Sequence, residues 1–84
     1  MAELKSLRNI GKGIENKLKS VGIATAEELK QAGSREAFFR LKLRYPNTCL
    51  VSLFALEGAI SDIEYNQLPV GVKQSLKEYN DSLG

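Results

Sequence analysis

One segment, from Asn47 to Ile60, constrains the fold of this chain more than any other. Drawn as a helix, it is apolar on nearly every side, because its apolar residues are Cys49, Leu50, Val51, Leu53, Phe54, Ala55, Leu56, Ala59 and Ile60. A helix that is apolar all round has to be surrounded by other elements of the fold. In a chain of 84 residues, the segment therefore predicts a buried central helix wrapped by shorter ones.

The residues before this segment repeat at helical spacing. Leu4, Leu7 and Ile10 are three positions apart, which predicts a short helix or helical turn. The spacing continues in a second helix that Gly22 is placed to end, with the apolar residues Ile14, Leu18 and Val21. Together they predict a short helical hairpin with its turn at the glycine-rich residues 9–13.

Capping signals divide the next part of the chain. Thr25 and Glu28 have the spacing of a capping box, which predicts a third helix that ends at Gly33. Ser34 is a candidate cap for a fourth helix, and Pro46 predicts its end because a proline disfavours helical geometry in the preceding residue.

The last predicted helix begins near Pro69, a residue that suits a first turn. No segment sustains the two-residue alternation of a strand, so the sequence predicts an all-α fold: a compact bundle of about five short helices around the central one. Such a short chain fits a single domain, 1–84, with a helix-hairpin-helix-like part at 4–33 and a helical remainder at 34–84.

Basic residues are concentrated in the first half. Residues 1–44 hold 10 basic and 5 acidic side chains, whereas residues 45–84 hold 2 and 5. This asymmetry favours an anionic partner such as nucleic acid, although solvated lysine-rich helices also occur in proteins that bind nothing.

Enzyme chemistry has little support in the composition. Histidine is absent and Cys49 is the single cysteine, so the commonest general base and the commonest zinc ligand sets are missing. We expect Cys49 to be a core residue with a raised pKa, since an apolar setting disfavours the thiolate. The sequence thus predicts no enzyme, no cofactor and no metal.

The segment Leu7–Ile14 carries the most informative pattern. It resembles a helix-hairpin-helix motif, with Ile10 as the apolar residue before Gly11 and with Asn9 where the motif's first glycine stands. Asparagine is the residue other than glycine that best tolerates a left-handed backbone. Free N–H groups at such a turn favour a phosphate, so the candidate DNA-binding residues are Arg8, Asn9, Gly11, Lys12, Gly13, Lys17 and Lys19, with Lys42 and Arg44 as an extension of the basic patch. The alternative is that the turn only packs two helices.

Over most of its length, the chain resembles the C-terminal domain of the TfoX (Sxy) family of bacterial competence regulators. The resemblance is carried by the turn at residues 9–11, Gly22-Ile23-x-Thr25, and most distinctively Leu56-Glu57-Gly58-Ala59. Glycine within an otherwise strong helix implies that a neighbouring backbone comes close at Gly58. The family implies an all-α domain that takes part in transcription regulation; full-length members often carry a separate N-terminal domain.

Two functions remain open from the sequence. The first is a regulatory domain that contacts the backbone of double-stranded DNA through the hairpin, without strong sequence preference. The alternative is an interaction module for a transcription component, a separate N-terminal-domain protein or a second copy in a homodimer; exposure of Phe38, Phe39 or Tyr79 would favour it. Since neither a secretory signal nor a membrane span is evident, we expect a cytoplasmic location and no membrane partner.

Overall fold

A computed structural model describes residues 3–83 of the chain. Its α-helices are α1 (Lys12–Ser20), α2 (Ala26–Ala32), α3 (Ser34–Arg44), α4 (Leu50–Ser61) and α5 (Val70–Leu83). Single 3₁₀ turns cover Leu4–Ser6 and Tyr65–Gln67. Within the described residues the extended pairing is one isolated bridge between Glu3 and Thr25, with no strand. The all-α prediction is confirmed.

Helix α4 is the central element of the bundle. It packs against α3, α5 and the second 3₁₀ turn, and Leu53 and Leu56 are fully buried. Its first turn, however, emerges at the surface, where Val51 is 51% exposed. The prediction that Cys49 lies in the core is wrong: Cys49 is an exposed free thiol, because it lies at the N-cap of α4, beside a first turn that is itself partly exposed.

The predicted cap at Thr25 is present, and the Glu28 carboxylate bonds back to the N–H one residue before the N-cap. The backbone N–H of Glu28 donates to Thr25 Oγ1 at 3.1 Å, and Glu28 Oε1 accepts from the N–H of Ala24 at 2.9 Å. Both glycines that were expected to end helices have positive φ, 88° at Gly22 and 87° at Gly33. These local signals therefore set the bounds of α1 and α2 as the sequence predicted.

Ser34 differs from its predicted role as a cap. It is the first residue of α3, while Gly33 occupies the N-cap position. The Ser34 hydroxyl instead donates to Glu57 Oε1 at 2.6 Å. Since Ser34 is buried at the contact of α3 with α4, its hydroxyl serves a tertiary hydrogen bond. The end of α3 at Tyr45, before Pro46, agrees with the prediction.

The close backbone approach expected at Gly58 is confirmed. A Cβ atom at this position would collide with the carbonyl oxygen of Ile63 and with the side-chain nitrogen of Asn9. The backbone N–H of Ile63 also donates to the Gly58 carbonyl at 2.9 Å. The chain thus turns back tightly after α4, through Asp62, which has a left-handed φ of 59°. No helix within residues 3–83 combines the length and hydropathy required to cross a bilayer.

Replacing Gly58 by alanine is expected to destabilise the domain. The gain in helix propensity of about 1 kcal/mol is smaller than the combined cost of overpacking a backbone carbonyl, about 1–3 kcal/mol, and displacing the Asn9 side chain. We expect a net loss of about 1–2 kcal/mol in the free energy of unfolding, measured by urea denaturation. Gly71→Ala is the matched control, because a Cβ atom there meets nothing within 4 Å; equal effects of the two substitutions would contradict the interpretation.

Candidate functional site

The turn between the first 3₁₀ turn and α1 is built around Asn9. This residue has a φ of 71°, which confirms the left-handed geometry predicted for it, and the N–H of Ile10 donates to the Leu7 carbonyl at 3.3 Å. On its N-terminal side the turn follows a single 3₁₀ turn, Leu4–Ser6. The motif therefore joins a 3₁₀ turn to α1.

The side chain of Asn9 is engaged inside the protein. Its Nδ2 donates to the carbonyl oxygens of Ile63 at 2.9 Å and Ala55 at 3.5 Å, and its Oδ1 accepts from the N–H of Tyr65 at 3.3 Å. One amide thus bonds to three backbone groups, one in α4, one in the loop that follows it and one in the second 3₁₀ turn. The structure places this candidate residue at an internal junction.

Arg8 is likewise occupied by intramolecular partners. Its Nη1 lies 3.0 Å from Glu64 Oε1, and its Nε lies 3.2 Å from Asp62 Oδ1. The hydrogen bond to Glu64, followed by the bond and charge of Asp62, raises the pKa of the guanidinium above its ordinary value. Two carboxylates therefore neutralise the charge that Arg8 would offer to a phosphate.

The first backbone N–H groups of α1 are not capped by a side chain. Gly11 is its N-cap, with a φ of −92° and a ψ of 178°, and no side chain caps the helix. The N–H groups of Gly11, Lys12 and Gly13 have no acceptor among residues 3–83. Nothing lies within 4 Å of a Cβ atom built at either glycine. The left-handed residue of this turn is Asn9, and Gly11 has extended geometry.

Glu15, in the first turn of α1, has a structural role that was not predicted from the sequence. Glu15 is buried, with 7% exposure, and its Oε2 accepts from the backbone N–H of Lys5 at 3.3 Å. It thereby joins α1 to the first 3₁₀ turn. Its position three residues before the buried Leu18 was a sign that it faces inward.

Helical geometry separates the three candidate lysines of α1. Lys12 and Lys19 are about two turns apart and lie on the same face, whereas Lys17 points about 140° away from Lys12 around the helix axis. All three are exposed. Lys17 instead lies over the ring of Tyr45, with its Nζ 5.2 Å from the ring centroid.

Arg44 also lies against the ring of Tyr45, so two cationic side chains contact this residue. The Arg44 guanidinium carbon is 5.8 Å from the centroid of the Tyr45 ring, and Arg44 Nε donates to the Tyr45 hydroxyl at 3.4 Å. A hydrogen bond with Ser20, followed by that from Arg44, lowers the pKa of Tyr45 below its ordinary value. Lys42, the other residue of the predicted extension, donates to the carbonyl oxygen of Thr48 at 2.9 Å.

The pKa predicted for Cys49 is also wrong in direction. The backbone N–H of Ser52 is the main cause of a thiol pKa below its ordinary value, since it stabilises the thiolate more than partial burial disfavours it. Within the part of the chain that the structure describes, no three acidic, histidine or cysteine side chains are grouped so that they could hold a metal ion.

The fold and this turn define a small all-helical domain whose first turn is fixed to the end of its central helix. The chain belongs to the TfoX C-terminal domain family, whose model matches residues 1–79.

Its curated relative Protein Sxy of Escherichia coli (strain K12) is 38% identical over 80 residues, which cover 95% of this chain and 38% of the relative. The chain thus corresponds to well under half of that protein.

Two solved structures from Listeria monocytogenes are similar over nearly their whole length. An uncharacterized protein in a triclinic crystal form has 43% identity and a TM-score of 0.95, with coverage of 98% of this chain and 93% of that one. A protein of unknown function in a tetragonal form has 41% identity and a TM-score of 0.93, with coverage of 95% and 99%.

The side chain of Asn9 is expected to matter beyond its backbone geometry. Asn9→Gly keeps the positive φ accessible but removes all three hydrogen bonds, so we expect a loss of about 1–3 kcal/mol in the free energy of unfolding. Asn9→Asp should cost more, because a carboxylate would face two carbonyl oxygens. The control is Asn16→Asp on the exposed side of α1, with an expected effect within about 0.5 kcal/mol. A stability unchanged in Asn9→Gly would show that only the φ angle matters.

Proposed function

We propose that this chain is a regulatory domain, related to the regulators of competence, that contacts the DNA backbone without sequence preference. The contact surface is formed by the amides of residues 11–13 at the start of α1, by Lys12 beside them, and by Lys19 about two turns further along the same face of the helix. The observation that carries the proposal is the set of exposed N–H groups at Gly11, Lys12 and Gly13, which have no acceptor among the described residues. Such a helix start favours an anion, and glycine allows a phosphate to approach the main chain.

The charged side chains around this surface determine its expected affinity for DNA. Lys12 and Lys19 have no ion-pair partner among residues 3–83, whereas Arg8 is paired with two carboxylates. Glu15, in the first turn of α1, is buried, and its carboxylate accepts from the N–H of Lys5. With about two lysines contacting phosphates, the logarithm of the association constant should fall with the logarithm of salt with a slope of about −2.

Fluorescence anisotropy of a labelled random-sequence duplex, titrated at several salt concentrations, tests this proposal. We expect saturable binding with the slope given above, and equal affinity for duplexes of unrelated sequence. Replacing both Lys12 and Lys19 with Gln should reduce the magnitude of the slope by up to about 2 and weaken binding to all duplexes alike.

The matched control removes two positive charges at other places in the fold, with Lys30→Gln on α2 and Lys77→Gln on α5. Binding should be nearly unchanged in this variant, since a local contact depends on position and not on net charge alone. A complete lack of binding at low salt, or equal weakening in both variants, would exclude the α1 surface.

A second candidate function is interaction with another protein through the outer face of α3. Phe39 is 37% exposed and Leu43, one turn later on the same helix, is 69% exposed. Of the other aromatic residues considered, Phe38 is fully buried and Tyr79 donates its hydroxyl to the Arg35 carbonyl at 3.4 Å. Aromatic residues are enriched at the centres of protein interfaces.

Sedimentation velocity over a range of protein concentrations tests the self-associating form of this candidate. We expect a concentration-dependent dimer that becomes monomeric when Phe39 and Leu43 are both replaced by Ser. Val70→Ser is the control, because Val70 is 83% exposed on a different helix. A monomer at every concentration would exclude self-association through α3.

A further inference from the structure

A cavity of about 450 Å³ opens beside the N-terminal end of α4. Its apolar lining comes from three helices, through Ile14 of α1, Leu41 of α3 and Leu56 of α4, and its mouth is bounded by the loop between α3 and α4. The volume is within the range of pockets that hold small molecules, about 300–1,000 Å³. Neither of the two functions proposed above involves this cavity.

The charged side chains that line the cavity are Lys17 and Arg44. Both lie against the ring of Tyr45, at 5.2 Å and 5.8 Å from its centroid, so the ring holds the two cations at the mouth. No aspartate or glutamate of the described chain lines this cavity. Neither cation has an ion-pair partner within residues 3–83, in contrast to Arg8 and Arg40.

Arg44 has the geometry to receive a carboxylate. Its Nε is directed to the Tyr45 hydroxyl, and its two terminal nitrogens have no acceptor in the described part of the chain. A guanidinium with free terminal nitrogens can bind both oxygens of a carboxylate. Lys17 adds a second positive charge and can donate to the same group.

The wall at the start of α4 adds small polar groups to this arrangement. Ser52 and Cys49 line the cavity, and their Oγ and Sγ atoms are 4.0 Å apart. The first turn of α4 contains no acidic residue. The helix dipole at this end therefore adds to the preference for a negative charge.

We propose that this cavity binds a small amphipathic carboxylate, with its apolar body against Ile14, Leu41 and Leu56 and its carboxylate between Lys17 and Arg44. The combination determines the ligand class: the apolar floor disfavours a fully hydrated ion, and two unpaired cations disfavour a neutral or cationic molecule. Lys17 points away from the Lys12 and Lys19 face, so this site is separate from the DNA-contacting surface.

Titration of the ¹⁵N-labelled chain with octanoate, followed by ¹H–¹⁵N correlation spectra, tests the proposal. We expect saturable shifts of the amides of Thr48, Cys49 and Ser52, with a dissociation constant of about 1 mM or tighter. Octanamide has the same chain without the charge, and acetate has the charge without the chain. Both should bind at least about tenfold more weakly.

Two kinds of variant separate the parts of the site. Lys17→Gln with Arg44→Gln changes exposed side chains and should reduce octanoate affinity to that of octanamide. Ser52→Phe should fill the cavity and weaken both ligands.

Lys12→Gln with Lys19→Gln is the control and should leave octanoate binding intact even if it abolishes DNA binding. Equal affinity for octanoate and octanamide, unchanged binding in the Lys17 and Arg44 variant, or shifts spread over the whole chain would overturn the proposal.

Discussion

The amide of Asn9 connects the beginning of the described chain to the end of its central helix. It bonds to backbone groups of Ala55, Ile63 and Tyr65, and this contact is possible only because Gly58 has no Cβ atom in the way. The partly buried carbonyl of Ile63 requires a donor, since leaving such a group unsatisfied costs about 1–3 kcal/mol. The side chain of Asn9 and the absence of a side chain at Gly58 therefore determine how the first turn packs against α4 and the loop after it.

Local signals in the sequence were sufficient for much of this fold. The capping box at Thr25, the positive φ at Gly22 and Gly33, and the end of α3 before Pro46 each depend on residues a few positions apart. The left-handed turn at Asn9 and the close approach at Gly58 were also predictable, because each reflects an intrinsic backbone property of one residue type. That these two positions meet each other was not predictable from either property alone.

The features that sequence reasoning missed depend on distant partners. Counting charges identified a basic first half, but Arg8 is paired with carboxylates more than 50 positions away and Lys17 is directed to Tyr45. Cys49 belonged to the apolar pattern of α4, yet in the structure it lies at the exposed N-cap of that helix. The candidate site is therefore divided in the structure: the open helix start and two lysines form one surface, and two other cations form the mouth of a cavity.

The junction at Asn9 also affects the way the chain reaches its native state. Its hydrogen bonds span 46, 54 and 56 positions in sequence, so they form only after most of the chain has been brought together, at the entropic cost of closing a long loop. Contacts of such separation raise the contact order of an otherwise local helical bundle and slow its folding. The residues at 4–33 resemble a self-contained motif, yet their turn at Asn9 is hydrogen-bonded to α4 and to the segment that follows it.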